Sequence, residues 1–171
     1  MGSCCSSNKV VKETYDYPDG GVYTGDMENN VPHGRGTIKW DNGSLFEGQF
    51  VEGQKNGRGL FRWNDGQYYD GNFKDEKFYG YGEYFWTDGK IYKGNWIDGE
   101  MSGQGEMIYP DGRVYQGSFK ADKKDGDGEL TWPNGNKYIG AWKKGKQHGK
   151  GVLIDRIGTK TEGTWNKGKK Q

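Results

Sequence analysis

The chain is predicted to fold as an all-β, elongated, single-layer array of antiparallel β-hairpins, and three observations predict it. A 23-residue period runs through most of the 171 residues without an insertion. Within each copy, large rings and glycines recur at every second position, the alternation of a strand. An Asn-Gly or Asp-Gly pair then closes most copies, a strong short-range hairpin signal.

The copies begin at Tyr23, Phe46, Tyr69, Tyr92, Tyr115 and Tyr138, and a truncated seventh begins at Thr161. Upstream, Tyr17-Pro18-Asp19-Gly20 stands in the register of Tyr109-Pro110-Asp111-Gly112, so half a repeat precedes the first full one. The expected organisation is a terminal segment over 1–10, a half repeat over 11–22, six repeats over 23–160, and the truncated copy with a basic tail over 161–171.

The first strand of each copy presents its first, third and fifth positions to one face. These hold a ring, a glycine (Gly25, Gly48, Gly71, Gly94, Gly117, Gly140) and a second large apolar group (Met27, Phe50, Phe73, Trp96, Phe119, Trp142). The glycine leaves bare backbone over which neighbouring rings can lie. The second strand carries G-x-G, then Ile38, Phe61, Tyr84, Met107, Leu130 or Leu153, and usually another ring such as Trp40 or Trp132. At Asn42-Gly43, Asp65-Gly66, Asp88-Gly89, Asp111-Gly112 and Asn134-Gly135 the expectation is a two-residue turn with both residues at positive φ. Two strands per copy give a rise of about 10 Å per repeat and a ribbon of roughly 60 Å. No single hairpin buries enough surface to stand alone, so stability is a sum over neighbours.

The copies resemble MORN repeats, whose pattern runs Y-x-G-x-W-x-x-G-x-x-x-G-x-G, then an aromatic strand and D-G. The resemblance covers about residues 11–170. It implies a repeat scaffold of the kind that organises membrane–cytoskeleton junctions, ciliary and flagellar structures or contact sites. Where MORN repeats occur in enzymes they accompany a separate catalytic domain, for which this sequence has no room.

Composition agrees with a ring-built core. Hydrophobic residues make up only 30%, yet aromatics reach 15%, glycines number 32 and the net charge is +1. Disordered chains are poor in rings and rich in net charge. No stretch approaches the roughly 20 apolar residues of a membrane span, and the start has no apolar signal-peptide core. The chain is therefore expected on the cytosolic side, which leaves the Asn42-Gly43-Ser44 sequon without significance.

Motifs that imitate chemistry dissolve into the period. Gly140–Lys146 has the glycine spacing of a phosphate loop, but Gln147 stands where Ser or Thr belongs, and the same spacing recurs from Gly48, Gly94 and Gly163. Asp122–Leu130 lacks the ligand positions of a calcium loop in either phase. His33 and His148 lie five repeats apart, too far to share a metal or a proton, and are read as loop caps. No catalytic residues, metal site or cofactor are expected, and the chain is read as not an enzyme.

The two ends carry the functional signals. Gly2 and Ser6 fit M-G-x-x-x-[ST], the N-myristoylation pattern, and the only cysteines, Cys4 and Cys5, follow at once. Adjacent cysteines make a poor disulfide. They are expected to carry palmitate, because one myristoyl chain alone binds a membrane only marginally. From Lys137 to Gln171 there are 10 Lys/Arg against 2 Asp/Glu. Lys143, Lys144, Lys146, Lys150, Lys167, Lys169 and Lys170 either contact anionic lipid or guard an open sheet edge against mispairing.

The reading is a non-catalytic scaffold, peripheral and lipid-anchored on the cytoplasmic face of a plasma or ciliary membrane, that binds a protein partner. The alternatives are a soluble component of a ciliary or cytoskeletal assembly, and a phosphoinositide-binding adaptor working through the basic end. No nucleic acid is expected, and the chain is either a monomer or a dimer through its sheet ends.

Overall fold

A computed structural model describes residues 12–171. The chain forms one antiparallel sheet in which every strand pairs with its neighbours in sequence. The strands are β1 (Lys12–Asp16), β2 (Gly21–Glu28), β3 (Val31–Trp40), β4 (Leu45–Val51), β5 (Gln54–Arg62), β6 (Tyr68–Lys74), β7 (Lys77–Phe85) and β8 (Ile91–Ile97). They continue as β9 (Glu100–Ile108), β10 (Val114–Lys120), β11 (Lys123–Thr131), β12 (Lys137–Lys143), β13 (Lys146–Ile154), β14 (Lys160–Asn166) and the short β15 (Lys169–Lys170).

The register aligns glycine opposite glycine in every strand pair from Gly25 in β2 to Gly163 in β14. The first-position rings fill this furrow. A β-carbon at Gly105 would stand 2.5 Å from the Tyr92 hydroxyl and 2.6 Å from its ring, so the furrow exists only because the column is glycine. Tyr23, Phe46, Tyr69, Tyr92, Tyr115 and Tyr138 are each 0% exposed.

Each of these rings meets the fifth-position ring of the next copy edge to face and, from Phe46 onward, that of its own copy as well. The chain of contacts runs Tyr23–Phe50–Phe46–Phe73–Tyr69–Trp96–Tyr92–Phe119–Tyr115–Trp142–Tyr138–Trp165, with centroids 4.8–5.5 Å apart. Edge-to-face pairs add about 0.5–1.5 kcal/mol each beyond the area they bury. This zigzag is the core. The second-strand rings, Trp40, Trp63, Trp86, Tyr109 and Trp132, pack half-buried along its margin. Trp96 and Trp142 are therefore structural anchors to a degree that Trp132 is not.

The corners correct one expectation. The Asn-Gly and Asp-Gly turns do not carry positive φ at both residues: Gly43 and its equivalents do, but Asn42 and its equivalents do not. The Gly43 N–H donates to the Trp40 carbonyl and the Trp40 N–H to the Ser44 carbonyl, a three-residue loop with the glycine at its bulge. The Asn42 Oδ1 accepts the Ser44 N–H at 2.9 Å, and Asp19, Asp65, Asp88, Asp111 and Asn134 do likewise two residues on. That side-chain bond is what selects Asn or Asp there. The two-residue turns with paired positive φ lie at the opposite edge, at Asn29-Asn30, Glu52-Gly53, Asp75-Glu76, Asp98-Gly99, Ala121-Asp122, Lys144-Gly145 and Lys167-Gly168.

Near that edge the register slips, leaving Asp26, Asn95, Ser118 and Ala141 without an opposite number in the following strand. The buried tyrosine three residues earlier donates its hydroxyl to the carbonyl left over: Tyr23 to Asp26 at 2.7 Å, Tyr92 to Asn95 at 3.0 Å, Tyr115 to Ser118 at 3.0 Å and Tyr138 to Ala141 at 3.1 Å. Tyr92→Phe is expected to cost about 1 kcal/mol, the net worth of a buried hydrogen bond. A urea melt showing no loss would mean that water satisfies the carbonyl equally well.

Candidate binding face

Because side chains alternate, what the rings leave free is the opposite face of the sheet. Its row nearest the Asn/Asp-Gly corners is apolar in the middle of the array. Tyr68, Phe85, Ile91, Ile108 and Val114 are register partners in succession across β6 to β10. Tyr68 and Phe85 stack at 4.1 Å and 15°. All five residues are half-buried, and none of the described residues forms a second layer over them.

A parallel row of charges flanks the apolar one. In it Lys93 pairs with Glu83 at 3.0 Å; Asp70 is met from the row beyond by Arg58 at 2.6 Å, and Glu129 by Lys137, which continues the apolar row, at 2.6 Å. The Glu83 bond raises the Lys93 pKa, and the Lys137 bond lowers that of Glu129. The third row holds Tyr81, which is 50% exposed, Asn95, and Gln104 with its amide on the Ser118 hydroxyl at 2.9 Å. Towards the amino-terminal half the same face forms a groove of about 910 Å³, lined by Thr24, Arg35, Thr37, Glu47, Arg58 and Leu60 among others. An apolar strip between polar margins can grip an extended segment by its side chains while hydrogen-bonding its flanks.

The sequence-selected lysines gather elsewhere. Lys143 and Lys146 flank the turn at Lys144-Gly145. The next turn, at Lys167-Gly168, lies beside it, with the Gly168 N–H on the Gln147 carbonyl at 2.9 Å. Lys169 and Lys170 follow in β15. Six of the seven therefore share one edge of the sheet's carboxyl end, and among the described residues none has an ion-pair partner. Lys150 is separate, on the outer face of β13 opposite Thr164. Lys170 does a different job: its stem crosses Gly163 and its ammonium stands 5.8 Å over Trp165, closing the end of the ring column.

Gly2, Cys4 and Cys5 lie outside the described residues. His33 Nδ1 stands 3.4 Å from Glu28 Oε2 across the first turn. Among the described residues no group of three or more His, Cys, Asp or Glu is placed to hold a metal ion, and no helix is long and apolar enough to cross a membrane.

The outer apolar row escaped the sequence reading although a signal existed. Leu45, Tyr68, Ile91 and Val114 each immediately precede a first-position ring, so they must face the other way. Lys55 and Lys124 also went unnoticed. They occupy a ring-side column held elsewhere by Phe78 and Met101, where a charge is least expected.

The sequence profile of the MORN repeat matches residues 23–45, 46–68, 69–91, 92–112, 115–137 and 138–160. The chain belongs to the MORN-repeat family. A search of curated proteins returned no match. Among solved structures, this MORN array is similar to the TCP domain of SAS-4 (dCPAP) of Drosophila melanogaster, determined with a proline-rich motif of Ana2 (dSTIL). The identity is 10%, the TM-score 0.52, and the match covers 96% of this chain and 97% of that one. At that identity the likeness is one of fold. Weaker similarity extends to the CPAP G-box domain (13% identity, TM-score 0.38, 94% and 97% covered) and to the E1021V TCP10 domain of Danio rerio CPAP (12%, 0.35, 89% and 82%).

Proposed function

We propose that this MORN-repeat chain is a non-catalytic adaptor that holds an extended segment of a protein partner on the outer face of its sheet. In this reading lipids on Gly2, Cys4 and Cys5 hold it to the cytoplasmic face of a membrane. The observation that carries the partner-binding part is the uncovered row Tyr68–Phe85–Ile91–Ile108–Val114. The fold does not need that row for its core, which lies wholly on the other face. The stacked Tyr68–Phe85 pair and exposed Tyr81 are the kind of surface on which a pre-extended, proline-rich segment docks at little entropic cost. The proline-rich motif seen with the SAS-4 TCP domain supports that choice of partner chemistry. The unpaired edge lysines supplement the anchor by attracting anionic headgroups, at about 1 kcal/mol per charge close to the surface.

A second reading, a structural component of a ciliary or other cytoskeletal assembly, takes support from membership of the MORN-repeat family. It expects the chain to remain in a detergent-extracted skeleton whatever occupies residue 2.

The face itself is tested by Phe85→Asp/Ile91→Asp, with cross-linked partners recovered from cells alongside wild type. The variant is expected to remain folded, because both positions lie off the ring core, and to lose at least tenfold of the partner recovered. Full recovery by a folded variant would remove the outer face from the account.

A further inference from the structure

Lys55 and Lys124 occupy equivalent places, three repeats apart, two residues beyond a turn on the ring side of the sheet. Their surroundings match in part. The Lys55 ammonium lies 5.6–5.9 Å from the Trp40, Phe46 and Phe61 rings and pairs with the Glu76 carboxylate. The Lys124 ammonium lies closer to three rings, 4.8 Å from Tyr115 and Trp142 and 5.0 Å from Tyr109. At the turn position that supplies Glu76 to Lys55, however, Lys124 finds Gly145.

The other charges near Lys124 are engaged or of the wrong sign. Arg113 packs on the same Tyr109 ring, its Cζ at 4.9 Å, and is held by Asp111. Asp122 accepts the Met101 N–H at 2.8 Å and Asp125 the Lys144 N–H at 3.0 Å. Among the described residues no carboxylate reaches ion-pair distance of Lys124, and no hydrogen bond ends on its ammonium. Nor, among the described residues, is any unpaired side-chain nitrogen or oxygen sealed from solvent, so the Lys124 amine keeps an edge open to water.

We infer that Lys124 is an acylation site, whose ε-amine, boxed by Tyr109, Tyr115 and Trp142 without a carboxylate, accepts acyl groups from small thioesters. The unprotonated nitrogen adds to the thioester carbonyl carbon, the C–S bond breaks, and the proton lost from nitrogen goes to the departing thiolate. An amide and a thiol result. Burial, reinforced by Arg113, lowers the Lys124 pKa to about 8. An ordinary lysine titrates near 10.4, so near neutral pH the reactive fraction of Lys124 is roughly a hundredfold larger. Reduced nucleophilicity at lower basicity, a trend measured for thiols, and the surrounding rings return part of that gain. The product suits the site: the column already accepts neutral groups at Phe78, Met101 and the amide Gln147, and acylation removes a half-buried charge.

The test is the full chain with acetyl-coenzyme A near neutral pH, acetylation being followed lysine by lysine by peptide mass spectrometry. Lys124 is expected to react at least about tenfold faster than Lys55 and exposed Lys160, with a pH midpoint near 8. Gly145→Glu restores the carboxylate that Lys55 enjoys. It is tolerated because nothing lies within 4 Å of a β-carbon there, and Glu76 and Asp122 hold the same positive φ at equivalent corners. It is expected to slow Lys124 to the rate of Lys55. Acetylation of Lys124 no faster than Lys160, or an unchanged rate in Gly145→Glu, overturns the assignment.

Discussion

Trp142→Ala is expected to cost the fold about 3–5 kcal/mol, the range for emptying a buried tryptophan site. The indole is 5% exposed and stands edge-on to Tyr115 at 5.1 Å and Tyr138 at 5.4 Å, joining the fifth and sixth repeats. Its Nε1–H donates to the Gly128 carbonyl at 3.2 Å, a bond that alanine cannot make. The loss should fall unevenly, because each repeat contacts only its neighbours. Amide exchange is expected to accelerate across β12–β14 while β4–β8 stay protected. Half-buried Trp132 serves as the control, with a smaller loss on truncation. A denaturant midpoint close to wild type in Trp142→Ala would contradict the ring column as the source of stability.

The second large effect is alkaline unfolding. Burial raises the pKa of Tyr23 to about 12 and those of Tyr69, Tyr92 and Tyr115 further. An unfolded tyrosine ionises near 10, so above that pH the unfolded chain releases protons that the fold retains, and stability falls. Each such residue removes about 1 kcal/mol per pH unit after allowance for screening. Several acting together exhaust a normal stability of ~5–15 kcal/mol near pH 12. Lys124 acts in the opposite sense at lower pH. Its folded pKa of about 8 lies below the unfolded value, so the unfolded chain binds the extra proton and stability rises between about 8 and 10. Urea midpoints should therefore climb slightly and then collapse, with the buried tyrosines' share of the tyrosinate absorbance appearing in step with unfolding. Ionisation of Tyr23, Tyr69, Tyr92 and Tyr115 near pH 10 in an intact fold would contradict this.

How far the sequence could be read follows from what each column must satisfy. The tyrosine and glycine columns were legible because both are fixed by one steric fact: a ring cannot lie over backbone that bears a β-carbon. Corner conformations were less so. Asn42-Gly43 and Glu52-Gly53 both end in a glycine at positive φ. They differ at the residue before it: Glu52 takes positive φ, whereas Asn42 does not and its Oδ1 accepts the Ser44 N–H. Charge at the carboxyl end was visible as composition, but composition could not divide Lys170, which covers Trp165, from Lys144, which is exposed at a turn. Lys124 was hidden for the same reason. Its environment is made of Tyr109 from one repeat, Tyr115 from the next and Trp142 from a third.

The proposed adaptor is held at a membrane by lipids on its amino terminus. The most direct test labels wild type, Gly2→Ala and Cys4→Ser/Cys5→Ser with myristate and palmitate analogues in cells and then fractionates them. Wild type is expected to carry both lipids and to pellet with membrane. Gly2→Ala should lose both labels, the cysteine variant should keep only myristate, and both should become soluble. A wild-type chain that takes up neither label and distributes like its variants would contradict the claim and leave the cytoskeletal reading in its place.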